Sequence, residues 1–198
     1  MKSIGGLKMG TNDRIMSATL ECMAKYGIKG TTTKYLAKVA CVNETTIFKN
    51  FKRKDELIHE TLNNEVNKIK FEIDEYFQSL SKLDKFGIHS LSSFITNIYS
   101  KYTNYFIIEV KEMSNEDLAY IQPTVFEYIE KSMENKIFDS IDSISRKESQ
   151  SIAFIMNSVF LVLLLETVKD CTYKRPSTLS VNKKDIAEVL ERLLKNNI

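Results

Sequence analysis

The sequence predicts an all-α protein with two parts, a short N-terminal three-helix domain and a larger C-terminal helical one, and three observations carry that reading. Apolar residues recur at helical spacing along most of the 198 residues, enough to build a sizeable core. Glycine and proline number only six and two, as short loops between helices require. Charge is unevenly placed: residues 1–56 hold eleven Lys and Arg against five Asp and Glu, a net +6, whereas the remainder holds seventeen against twenty-one, a net −4. A basic head on a slightly acidic body fits nucleic-acid contact confined to the N-terminal part.

Residues 1–10, with Lys2, Lys8 and three glycines, read as a disordered arm that could also touch nucleic acid. The first helix is expected from Thr11 or Asn12 to Tyr26, with Ile15, Ala18, Cys22 and Tyr26 at helical spacing and Gly27 ending it as the C′ residue. The stretch that organises the chain follows, residues 31–57, reading TTTKYLAKVACVNETTIFKNFKRKDEL. Leu36, Ala37 and Ala40 share one face of a short helix while Lys34 and Lys38 fall outside it. Hydroxyls of the three threonines Thr31, Thr32 and Thr33 suit both capping and a phosphate oxygen. Cys41, Val42 and Asn43 make a turn, Asn43 N-caps a second helix, and Ile47 and Phe51 point back to the core. Glu44, Thr45, Thr46, Phe48, Lys49 and Asn50 are left outward, residue types that contact phosphates and base edges when a helix enters a major groove.

At these residues the chain resembles the N-terminal domain of the tetracycline-repressor (TetR) family of transcriptional regulators, over about residues 11–60. Leu36-Ala37, Ala40, Val42, Asn43, Thr46-Ile47, Phe48, Phe51, Lys54 and Leu57 sit at the family's spacing. The resemblance implies a helix-turn-helix DNA-binding domain over residues 1–54 and a helical effector-binding and dimerisation domain over residues 55–198. It implies DNA contacts from Thr31, Thr32, Lys34, Asn43, Glu44, Thr45, Thr46, Phe48, Lys49, Asn50 and Lys54. Three positions depart from the family pattern. Cys41 stands where the family usually has Gly, at a cost of about 1 kcal/mol if its φ is positive. Phe48 replaces a Tyr that commonly gives its hydroxyl to a phosphate, and Arg53 replaces a small capping residue.

Beyond the head, Ile58, Leu62, Val66, Ile69, Ile73, Tyr76 and Leu80 predict one long amphipathic helix from Asp55 to about Leu80. Leu91, Phe94, Ile95, Ile98, Tyr102, Tyr105 and Phe106 predict a second long helix, which in a TetR-like body lines the ligand cavity. Pro123 suits the first turn of a helix carrying Val125, Phe126, Ile129, Met133 and Ile137. Residues 152–165 are apolar except for Asn157 and Ser158; at fourteen residues they are too short to span a membrane, so coverage by a partner subunit is expected. After a loop from Cys171 to Val181, Asn182 and Asp185 suggest a capping box for a last helix over residues 182–196. The candidate ligand-binding residues are Phe94, Ile98, Tyr102, Phe126, Phe154 and Asn157; those for the dimer interface are Phe160, Leu163, Leu164, Ile186, Leu190 and Leu193.

No catalytic constellation, cofactor motif or metal-ligand spacing is visible, His59 and His89 included, so an enzyme is not expected. Three cysteines argue against a disulfide framework, and with no secretory signal expected they point to the cytoplasm. The reading is therefore a ligand-responsive regulator, a repressor that binds a near-palindromic double-stranded operator as a homodimer and is released by a small apolar or aromatic effector. An adaptor of the same fold whose body binds a protein, or a helical interaction module with an incidental basic head, are the alternatives.

Overall fold

A computed structural model of the chain describes residues 9–81, 83, 85–173, 188, 189 and 192, and among these all regular structure is helical. The helices are α1 (Thr11–Gly30), α2 (Thr33–Val39), α3 (Glu44–Asn50), α4 (Lys54–Ser79), α5 (Lys85–Lys101), α6 (Thr103–Lys111), a 3-10 turn (Glu116–Leu118), α7 (Val125–Ser140) and α8 (Arg146–Tyr173). They fall into two compact units. One is built on residues up to Glu65 together with Asn104–Ala119, the other on Val66–Thr103 and the chain from Tyr120 onward. This division falls inside α4 whereas the domain boundary expected from sequence is at residue 54, and α6 joins the first unit despite its distance in sequence.

The first unit closes around Ile15, Ala18 and Cys22 of α1, Leu36 and Ala37 of α2, Ala40, Ile47 of α3, Phe51 and Leu57, all buried, with Met16, Tyr35, Val39 and Val42 packed against them. Cys22 is sealed in this core, and burial, followed by the nearby Glu21 charge, pushes its thiol up from the ordinary range. Helical geometry in α1 breaks at Gly27, whose φ of 73° and ψ of 170° form an extended positive-φ conformation open essentially to glycine alone, in place of the αL stop expected of a C′ residue, before one further turn carries the chain to Gly30. The segment after α6 holds this break. Glu112 Oε1 accepts from the Ile28 backbone N–H at 2.9 Å, and the Lys111 ammonium donates to the Ala24 and Lys25 carbonyls. A carboxylate and an ammonium therefore satisfy backbone groups that the helix break leaves without helical partners.

The second unit buries Leu91, Ile95 and Ile98 of α5, Ile129, Met133 and Ile137 of α7, and Ala153, Met156, Phe160 and Leu164 of α8. Helix α8 packs against both α5 and α7. One polar network crosses this core: the Tyr99 hydroxyl donates to Asn157 Oδ1 at 2.8 Å, and Asn157 Nδ2 donates to the Phe126 carbonyl at 3.1 Å. A buried amide with partners on both its ends stabilises one packing of α5, α7 and α8 over its alternatives. The Tyr128 hydroxyl donates to Asp74 at 2.6 Å, and that bond, with burial, pushes the phenol up to about 12. At Glu72 burial works against the charged form, yet hydrogen bonds from Lys101 and Tyr102 outweigh it and hold the carboxyl below its usual range.

Several expectations are corrected here. The aromatic stripe from Leu91 to Phe106 is two helices, not one: the chain turns at Tyr102, and the Thr103 hydroxyl bonds the Tyr99 and Ser100 carbonyls, offering the last turn of α5 an alternative to continued helix. Pro123 lies outside the first turn of α7, because Thr124 takes the N-cap in a capping box with Glu127. Helix α8 begins at Arg146 and runs through Tyr173, well past the fourteen apolar residues and into the loop expected from Cys171. Its stretch Arg146–Glu166 is long and apolar enough to cross a membrane, a property it shares with core helices of soluble proteins. The last helix expected at residues 182–196 lies almost wholly outside the described residues; Glu188, Val189 and Arg192 are helical.

Candidate nucleic-acid interface

The turn between α2 and α3 sets the geometry of the surface. Helix α2 starts at Thr32, whose backbone is extended and whose side-chain oxygen accepts the Tyr35 N–H at 3.3 Å. It stops in a Schellman arrangement: Cys41 N–H bonds the Lys38 carbonyl at 3.3 Å and Val42 N–H bonds the Ala37 carbonyl at 2.9 Å. Such a stop needs a left-handed C′ residue, and Cys41 supplies it with φ of 53°, the strained conformation expected for a cysteine in place of glycine. Asn43 then starts α3 through its backbone carbonyl, which accepts from Thr46 and Ile47; its side chain makes no cap. With Ile47 and Phe51 buried in the head, the opposite face of α3 is turned to solvent.

On that face Asn43, Glu44, Thr45, Phe48, Lys49 and Asn50 are exposed and Thr46 half-buried, while Thr32 and Lys34 are exposed beside them on α2. Phe48 leaves 48% of its surface open, an apolar tip beside the Lys49 ammonium. Asn50 is tied back to its own helix, donating to the Thr46 carbonyl at 2.7 Å. Glu44 accepts a hydrogen bond from the Thr33 hydroxyl at 2.8 Å, joining the starts of the two helices. The sequence offers the Thr33 hydroxyl, with those of Thr31 and Thr32, for capping or phosphate contact, and carries no sign of its bond to Glu44.

Two expected contact residues are engaged by backbone carbonyls of the head, Thr31 fully buried and Lys54 half-buried. Thr31 is fully buried and its hydroxyl donates to the Gly27 carbonyl at 2.8 Å, so it is not placed to meet a phosphate. Lys54 points its ammonium at the Thr31 carbonyl, 3.1 Å, and the Ile28 carbonyl, 3.5 Å, where it ties α4 to the end of α1. Arg53, lacking a small capping side chain, contributes its carbonyl to the Leu57 N–H, and Glu56 instead accepts from the Lys52 N–H at 3.0 Å. Lys111 and Glu112, which brace α1 from beyond residue 100, were also missed, because nothing local in sequence marks a contact across 84 positions.

The candidate effector residues all lie in the second unit, in different surroundings. Ile98 is fully buried, Asn157 and Phe126 belong to the Tyr99 network, Tyr102 donates to Glu72, Phe94 stacks on Tyr76 at 3.8 Å, and Phe154 is 59% exposed on α8. A cleft of 190 Å³ opens between α5 and α8, lined by Thr96, Tyr99, Ser100, Thr103, Phe160, Leu163 and Leu164, with none of those six among them. It is smaller than a typical drug-sized site. Of the candidate dimer residues, Phe160 and Leu164 are buried within their own unit, which withdraws them from a partner's reach; Leu163 lines the cleft, and Ile186, Leu190 and Leu193 lie outside the described residues. Among the described residues no cluster of His, Cys, Asp or Glu is arranged to hold a metal.

The two described thiols should differ sharply. After brief iodoacetamide treatment of the folded protein, peptide mapping is expected to find exposed Cys41 alkylated and buried Cys22 untouched until denaturant is added. Equal labelling of the two in the folded state would place Cys22 outside the core.

Residues 15–61 match the family model for bacterial regulatory proteins of the tetR family. An uncharacterised HTH-type transcriptional regulator of Bacillus subtilis (strain 168), YvkB, is 46% identical over 52 residues, an alignment spanning 26% of this chain and 28% of that one. Similarity of fold extends further. A TetR-like transcriptional regulator from Rhodococcus sp. RHA1 superposes with a TM-score of 0.68 at 11% identity, covering 97% of each chain. The transcriptional regulator FadR from Bacillus subtilis, in complex with stearoyl-CoA, superposes at 0.61 with 13% identity, covering 93% of this chain and 98% of that one. The head, residues 15–61, therefore matches the tetR family of bacterial regulatory proteins, and the chain as a whole shares its all-helical fold with TetR-like transcriptional regulators.

Proposed function

We propose that this chain is a ligand-responsive repressor that binds a near-palindromic operator as a homodimer in the cytoplasm and is released by an apolar effector held in its second unit. The observation that carries the reading is the exposed face of α3, where Thr45, Phe48 and Lys49 stand clear of a core that fixes the helix from behind. Two such helices about 34–36 Å apart meet successive major grooves on one side of a duplex. That FadR is in complex with stearoyl-CoA supports an effector with a long apolar chain. The 190 Å³ cleft would have to widen to take one, and widening there displaces α5 from α8. A molecule that binds the displaced form better by about 1–3 kcal/mol lowers operator affinity by roughly 5- to 150-fold through linkage.

Gel-shift titration of the full-length protein, on a duplex selected from a randomised pool, tests the assignment. Lys49→Ala should weaken binding by about 1–3 kcal/mol with unchanged helicity, and wild-type affinity should fall steeply with salt as counterions are released. Wild-type affinity in the Lys49 variant, or binding indifferent to salt, removes α3 from the interface.

A further inference from the structure

A carboxylate is an unexpected group on a surface meant for DNA. Glu44 is exposed in the first turn of α3, beside the base-reading positions, and any phosphate it approaches repels it. One role for an acid there is local: it complements the positive end of the helix. A second observation separates the side chain from that role, for Thr33 of α2 donates its hydroxyl to Glu44 Oε2 at 2.8 Å and so restricts the carboxylate's direction. One oxygen is engaged, and the other keeps its capacity to accept from a donor in front of the helix.

Resting on the DNA-binding reading above, we propose that Glu44, positioned by Thr33, reads the exocyclic amine of a cytosine and fixes a C·G pair at one symmetric position in each half-site. Base-edge chemistry selects that partner. Cytosine presents its N4 amine to the major groove as a lone donor. Guanine and thymine present acceptors, which oppose a carboxylate, and adenine sets its N6 amine beside the N7 acceptor. A carboxylate already engaged on one side matches a single donor. Its repulsion from phosphates is common to all sequences, so Glu44 acts by discrimination more than by affinity. Thr33 is a positioning residue: it lets the acid meet the groove without a search among rotamers.

The test is selection from a randomised duplex pool by full-length wild-type, Glu44→Gln, Thr33→Val and Thr33→Ser proteins, read by sequencing. Wild-type protein is expected to enrich cytosine at one position of each half-site. Glu44→Gln should move the preference there to adenine, whose N6 and N7 a glutamine can engage together, by about tenfold or more. Thr33→Val should flatten the cytosine preference while leaving the other positions and the melting temperature in place, and Thr33→Ser should restore it. Identical base preferences in wild-type and Glu44→Gln proteins overturn the proposal and leave the DNA-binding reading standing. A wild-type pool with no enriched sequence removes that reading, and this inference with it.

Discussion

Phe51→Ala is expected to lower the stability of the first unit by about 3–5 kcal/mol, whereas Phe48→Ala, three residues earlier, should stay within roughly 0.5 kcal/mol of wild type. The difference follows from placement. Phe51 is 1% exposed where α3 ends, among Ile15, Leu36, Ile47 and Leu57, and its removal leaves a cavity that a close-packed head of short helices refills poorly. Phe48 stands on the outer face, 48% exposed and outside the cluster of buried residues. Since domains of this size are stable by about 5–15 kcal/mol, the first change removes a large fraction of the total and takes operator binding with it. The second should weaken operator binding with the fold intact, because a ring at that place can meet a thymine methyl but lacks the hydroxyl that a tyrosine would offer a phosphate. Urea unfolding followed by circular dichroism gives the stabilities and gel shift the affinities. Equal stability losses in the two variants would mean that the two faces of α3 have been assigned wrongly.

The same helix shows what sequence can carry and what it cannot. Ile47 and Phe51 repeat at i and i+4, and that local period orients α3 completely, so its outer residues are legible from the spacing alone. The break at Gly27 is legible as well, since a glycine after a helical run marks a positive-φ interruption, but the further turn to Gly30 is not. Thr31 and Lys54 are not. Their residue types suit phosphate contact, but Thr31 turns its hydroxyl back to the Gly27 carbonyl in the break that precedes it, and Lys54 reaches back along the chain to the Thr31 and Ile28 carbonyls. Lys111, Glu112 and the Thr33–Glu44 bond are likewise tertiary facts with no periodic signature. The aromatic stripe marks buried positions at all but half-buried Phe94, yet it conceals the turn at Tyr102, because apolar spacing continues across a break that hydrogen bonds of Thr103 impose. A cavity is harder still to foresee, being the space that packing leaves over.

A charge on the outer face of α8 is expected to abolish dimers. Packing against α5 and α7 accounts for one side of this helix; on the other, Phe154, Ile155, Val162 and Leu165 remain 59%, 55%, 50% and 40% exposed at helical spacing. Contiguous apolar surface of that kind marks an interaction site in a soluble protein, and in the proposed homodimer a second copy of α8 would meet it across a two-fold axis with the same residues. A stable pairing of this sort buries upward of about 1,200 Å², so several of these side chains must become core together. Val162→Asp would then place an unpaired carboxylate in that core, and light scattering at micromolar concentration should find dimers for wild type and monomers for the variant. Loss of the dimer also removes the second half-site contact, so operator affinity should fall by about 10²- to 10⁴-fold although no residue of the head has changed. Co-sedimentation with lipid vesicles separates the remaining explanation, because α8 is long and apolar enough to sit in a bilayer. Monomeric wild-type protein that sediments with vesicles would replace the partner subunit with lipid; dimeric protein that stays in solution keeps the apolar face of α8 between two copies of the chain.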